Sequence, residues 1–191
     1  MKKNLFSLAL IALLGGVSYS ASAQSAQLSP NSVMVGGMAM LPSKNIVENA
    51  VNSKDHTTLV AAVKAAGLVE TLQGKGPFTV FAPVNDAFEN LPAGTVESLL
   101  KPESKAALTK VLTYHVVAGN MTADKLMAAI KAGKGKATLK TVSGGTLTAM
   151  MNGPHNVVLV DEGGNVASIS TYDVLQSNGV IHVIDKVLLP K

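Results

Sequence analysis

The amino-acid sequence predicts an α+β domain, and two observations carry this. From residue 43 to residue 133 apolar residues recur mostly at helical spacing, with one strand-like run inside that stretch. From Lys136 onward the pattern shortens to strand-like runs, separated by Ser-Gly-Gly, Asn-Gly-Pro-His and Asp-Glu-Gly-Gly, all of them turn chemistry. Helices first and strands later is the order of an α+β fold rather than of alternating βαβ units.

The elements follow in order. Residues 1–23 have the layout of a cleaved export signal: Lys2 and Lys3, an apolar run from Leu5 to Leu14, then Ala21-Ser22-Ala23. Residues 24–42 read as a flexible tether. A single domain is expected over 43–191. Ser43 is a possible cap for a helix carrying Ile46, Val47 and Ala50. Thr57 or Thr58 starts a second helix, with Leu59, Val63 and Ala66 on one face and Gly67 at its end. Residues 68–73 continue as a short helical turn. Phe78 to Phe81 reads as a central strand ended by Pro83. Asn85 or Asp86 then caps a short helix, and Asp86 with Glu89 has capping-box spacing. Thr95 starts another short helix. Pro102 suits the first turn of a longer one, in which Leu108, Val111, Leu112 and His115 share a stripe. Thr122 caps the last helix, with Leu126, Met127 and Ile130 inward and Gly133 as its stop. Four short strands follow as an antiparallel meander, and VIHVID and VLLP close the chain as strands.

Composition narrows the function. With the leader removed, its two lysines leave 14 basic residues against 12 acidic ones, a net charge of +2. There is no arginine, the residue best shaped for bidentate grips on phosphate, so nucleic acid is not an expected partner. There is no tryptophan, which disfavours a stacking lectin groove. Without cysteine the chain has neither disulfides nor thiol chemistry. No stretch after the leader is long and apolar enough to span a membrane. His56, His115, His155 and His182 show no metal-ligand spacing, and no Gly-x-Ser-x-Gly elbow is present. The sequence therefore predicts no catalytic residues, cofactor or dedicated metal site.

Three blocks carry the identity of the module: GPFTVFAPVNDAF at 76–88, LTYHVVAG at 112–119 and NGVIHVIDKVLLP at 178–190. In a strand, Val180, His182 and Ile184 share one face while Ile181, Val183 and Asp185 share the other, so His182 and Asp185 cannot pair. A histidine among valines and isoleucines reads as a satisfied core group, and His115 on a leucine stripe reads the same way. In their order and spacing the three blocks resemble those of the fasciclin (FAS1) domain, of the small secreted bacterial kind, over about residues 43–191. The resemblance implies a wedge of mostly antiparallel strands flanked by short helices, with a non-enzymatic role in adhesion or extracellular contact. It associates the Tyr114-His115 block with receptor binding. A second family motif aligns with Thr171-Tyr172-Asp173-Val174-Leu175, of which only Asp173, Val174 and Leu175 match.

Two further features stand out. Met34, Met38 and Met40 make a methionine-rich tether, which reads as flexible apolar filler, or alternatively as soft ligands for Cu(I). Lys131, Lys134, Lys136 and Lys140 cluster around a glycine-rich turn that lacks phosphate-loop spacing. The expectation is an exported, monomeric interaction module, periplasmic or extracellular, that contacts a surface protein or polysaccharide. The alternative is a periplasmic carrier of a small ligand or soft metal, which requires a real pocket.

Overall fold

Gly36 and Gly37 both take positive φ, 59° and 75°, the geometry of a two-residue hairpin turn. They join β1 (Val33–Val35) to β2 (Met38–Met40), so part of the expected tether is an ordered hairpin. The computed structural model describes residues 31–191; the expected export signal and the first tether residues lie outside the described residues. Val35 and Met40 are buried, and this pins the hairpin to the domain.

Five α-helices come first: α1 (Ile46–Ala50), α2 (Thr57–Ala66), α3 (Val69–Gln73), α4 (Asn85–Glu89) and α5 (Thr95–Leu99). A 3-10 turn at Pro102–Ser104 leads into α6 (Lys105–Tyr114), as the proline implied. α7 (Ala123–Ala132) follows, with Leu126 and Ile130 buried. Gly67, at φ 73°, ends α2 in the left-handed conformation expected of it.

The sheet has seven strands in the order β4-β3-β9-β8-β7-β6-β5. These are β3 (Phe78–Pro83), β4 (Val116–Ala118), β5 (Lys136–Lys140), β6 (Thr146–Asn152), β7 (Asn156–Val160), β8 (Val166–Gln176) and β9 (Gly179–Ile184). β5 to β8 form the expected meander. All pairs are antiparallel except β3 with β9, which run parallel from Phe78↔Gly179 to Pro83↔Ile184. The two outer strands approach each other: Val142 N donates to Val116 O, and Val117 bridges Thr141, so the sheet curls almost into a barrel.

Alternation divides the central strands between two cores. Val80 and Ala82 of β3, with Ile181 and Val183 of β9, face α1, α2, α4 and α6. Phe81 and Ile184 point the other way and pack with Leu126, Ile130, Leu147 and Leu159. This two-sided burial is why both strands read as nearly continuous apolar runs.

Five local expectations are corrected. Asn45, not Ser43, caps α1, in a capping box with Glu48. Thr57 and Thr58 do not cap α2, and Asp86 forms no capping box in α4, whose N-cap is Val84. Thr122 precedes α7 but makes no side-chain cap bond. VLLP is extended but is not a strand: its backbone groups bond to side chains.

Candidate functional site

Tyr114 and His115 sit where α6 ends and β4 begins, and both are buried. The Tyr114 hydroxyl donates to Thr146 O at 2.6 Å and accepts from Glu162 N at 3.1 Å. Burial pushes its phenol pKa up, opposed by that second bond. Leu188 N donates to His115 Nε2 at 3.0 Å, so Nε2 is the acceptor and Nδ1 carries the proton that meets Val111 O at 2.8 Å. Both nitrogens are satisfied by backbone. Burial lowers the His115 pKa to about 4, so the ring is neutral at physiological pH.

Around this pair the chain end is latched by side chains. Leu189 N donates to Asp161 Oδ2 at 3.0 Å, Lys191 N donates to Glu162 Oε2 at 3.2 Å, and the Lys110 ammonium donates to Lys191 O at 2.7 Å. Asp161 also accepts from Asn165 N at 2.8 Å. Burial raises the Asp161 pKa, but these donors outweigh it and hold the carboxyl below its usual range. The Asp-Glu-Gly-Gly segment, which sequence reasoning treated only as a turn, is thus the clasp of the C-terminal strap.

The third block works in the same way. His182 is fully buried, stacks on Phe81 with centroids 5.7 Å apart, and meets Tyr172 edge-on at 5.9 Å. Its Nε2 donates to Met121 O at 2.8 Å, while Nδ1 faces Asp173 N at 3.4 Å. Burial lowers the His182 pKa. Asp185 points elsewhere and accepts from Ser168 N at 2.7 Å, so the expected separation of His182 and Asp185 is observed.

Asp173 takes φ 53° at an irregularity in the β8–β9 pairing and accepts from Ala123 N at 2.8 Å. It therefore caps α7 from fifty residues away, the place expected of Thr122. Val174 is buried in the first core; Leu175 is half-buried. Asn85 Oδ1 accepts from Thr58 N at 3.1 Å and so serves the first turn of α2. Asn178 Oδ1 accepts from Ile46 N at 3.1 Å, and its amide donates to Leu72 O and Gly74 O at 2.8 and 3.0 Å. Thr79 donates to Gly119 O and accepts from Met121 N, at 2.7 and 2.8 Å. The polar residues of the blocks are thus cross-chain caps. Tyr114, His115, Asp173 and Val174 do not assemble into one exposed patch.

The methionines diverge. In the hairpin register Met34 pairs with Ala39 while Met38 and Met40 pair with Val35 and Val33, so Met34 lies on the opposite face. Met40 is buried, whereas Met34 and Met38 are 57% and 42% exposed. Three thioethers do not converge there, and the Cu(I) alternative loses its ligand set. Among the described residues no group of three His, Cys, Asp or Glu is placed to hold a metal.

Between the helices and the sheet lies a cavity of about 90 Å³. Its walls run from Val35 and Met40 on the hairpin, along α1, α2 and α3, to the sheet and out to Val142, and they are almost wholly apolar. At roughly 24 cal/mol per Å³, an empty apolar space of this size costs about 2 kcal/mol. His56 lies in its wall and is 4% exposed. Its Nδ1 bonds Ser53 Oγ at 2.8 Å, while Nε2 has no hydrogen-bond partner. Burial lowers its pKa; the Ala82 backbone and the Asp55 charge oppose this, though no Ala82 contact meets hydrogen-bond geometry.

Fold and site together define a FAS1-type α+β wedge whose signature side chains serve its own frame. The chain belongs to the fasciclin domain family: the Fasciclin domain model matches residues 54–190. It is 49% identical to protein sll1483 of Synechocystis over 83% of this chain and 81% of that protein. It is 34% identical to the cell surface glycolipoprotein MPB83 of Mycobacterium bovis over 82% of this chain and 64% of the relative. The FAS1 domain pair of the insect cell adhesion molecule fasciclin I superposes with a TM-score of 0.67 at 19% identity, covering 78% of this chain and 52% of that one.

Proposed function

We propose that the protein is an exported, non-enzymatic interaction module that contacts a surface protein or polysaccharide outside the cytoplasm. The family match carries this reading, because its relatives include a cell surface glycolipoprotein and, at 37% identity over 20% of its length, the transforming growth factor-beta-induced protein ig-h3 of Sus scrofa. The direction of the block side chains agrees with it. His115 and His182 hold backbone groups and are neutral, so they act as joints of a rigid support. Contact then falls to the outer surface, where Lys131, Lys134, Lys136 and Lys140 are all exposed. A basic rim attracts acidic polymers weakly, and salt screens it.

The reading is tested by coating the purified protein on a surface and counting attached cells of the producing organism. Saturable attachment above an albumin coat, lost when the protein is heat-denatured, is the expected result. Equal attachment to both coats removes the adhesive role. Sequencing the secreted protein's first residues checks export separately, with Gln24 expected at the N-terminus.

A further inference from the structure

We infer that the cavity between the helices and the sheet binds a linear apolar molecule ending in a hydroxyl group, with the hydroxyl on His56 Nε2. This site is independent of any adhesive surface.

Shape comes first. A volume of about 90 Å³ is stretched along walls that run from the hairpin to Val142. At this volume, below the roughly 150 Å³ that takes a benzene ring, the space suits a short unbranched chain better than a ring. Val142 is 50% exposed, and Lys64 and Thr71, also in the lining, are exposed, so parts of the wall reach solvent.

Polarity comes second. A buried imidazole nitrogen without a partner is costly, and the Ala82 backbone near it lies outside hydrogen-bond geometry. A water molecule is a poor remedy, because it needs two to four polar neighbours of its own. A hydroxyl carried on a hydrocarbon chain is held by the walls instead. It both donates and accepts, so it satisfies Nε2 whichever way the Ser53–His56 bond runs. A carboxylate fits less well, since no cation lies beside His56 within the buried part of the lining.

The experiment titrates the purified protein with 1-pentanol, pentane and pentanoate, chains short enough for this volume, by calorimetry. One saturable site for 1-pentanol is expected, about fivefold tighter than pentane, the worth of one ordinary hydrogen bond, and tighter than pentanoate. His56→Leu should level pentanol and pentane. Val60→Phe, which fills the cavity from α2, should weaken both at least about tenfold while the protein still melts cooperatively. No saturable pentanol site overturns the inference. So does equal affinity for pentanol and pentane in the unaltered protein, or tighter binding of pentanoate. Full binding by a folded Val60→Phe variant overturns the location.

Discussion

Three histidines are buried in this protein, and each meets a different fate. His115 is bonded at both nitrogens, His182 is bonded to a carbonyl and wedged between rings, and His56 has one nitrogen idle. All three have pKa values lowered by burial. Below its ordinary value of 6.5 each ring is protonated in the unfolded chain, while His115 resists protonation in the folded state down to about 4. The unfolded state therefore binds more protons in that window, and stability is full above pH 6.5 and falls as the pH drops toward 4. His115 alone accounts for about 3 kcal/mol of this loss. Urea unfolding at pH 7 and pH 4.5 should show it as a lower midpoint in acid. A His115→Gln variant should lose less between the same two pH values, and an identical pH dependence in the variant would contradict the assignment.

At the scale of elements, helix initiation is a long-range affair. The first turns of α1, α2 and α7 receive acceptors from Asn178, Asn85 and Asp173, which lie 132, 27 and 50 residues distant. Asn178→Ala removes three bonds and should cost about 3 kcal/mol; Asp173→Ala should cost about 1 to 2 kcal/mol. Asp86→Ala, at an exposed site without a cap bond, should stay within about 0.5 kcal/mol. Chemical denaturation of the three variants checks the ranking, and an Asp86 effect as large as that of Asn178 would refute it.

These caps also mark how far the sequence was legible. Helical stripes and strand alternation are local, so most elements could be placed from spacing alone, down to Gly67 and Pro102. A local reading misplaces the caps of α2 and α7 at Thr57, Thr58 and Thr122, because a suitable side chain near a helix start does not reveal a better acceptor from another part of the chain, here Asn85 and Asp173. VLLP looked like a strand because burial, not pairing, makes a run apolar: Val187 and Leu188 are buried, but Leu188, Leu189 and Lys191 donate to His115, Asp161 and Glu162. The hairpin at 33–40 had a usable signal, Gly-Gly between apolar pairs, which methionine's reputation as filler obscured. The cavity left no trace in sequence, since residues lining a void are the same valines and leucines that fill a core.

For the whole molecule, the hairpin is the piece that changes the boundary of the domain. Met40 is 3% exposed and packs in the first core, while Met40 and Val35 also wall the cavity. A chain beginning at Leu41 should unfold at lower urea, by about 2 to 4 kcal/mol, from the loss of these buried side chains. Circular dichroism of the shortened protein measures this directly; unchanged stability would make the hairpin an ornament.

The parallel pairing of β3 with β9 carries a kinetic meaning. Phe78 meets Gly179 across most of the domain's length, and closing so long a loop is slow. Until residues 179–184 are available, β3 has a partner on one edge only, and the two cores on either side of it lack their common wall. Synthesis runs from the N-terminus, so this wall is completed only once β9 has been made. A polypeptide of this design stays loose until β9 has paired with β3, and only then do both cores close at once.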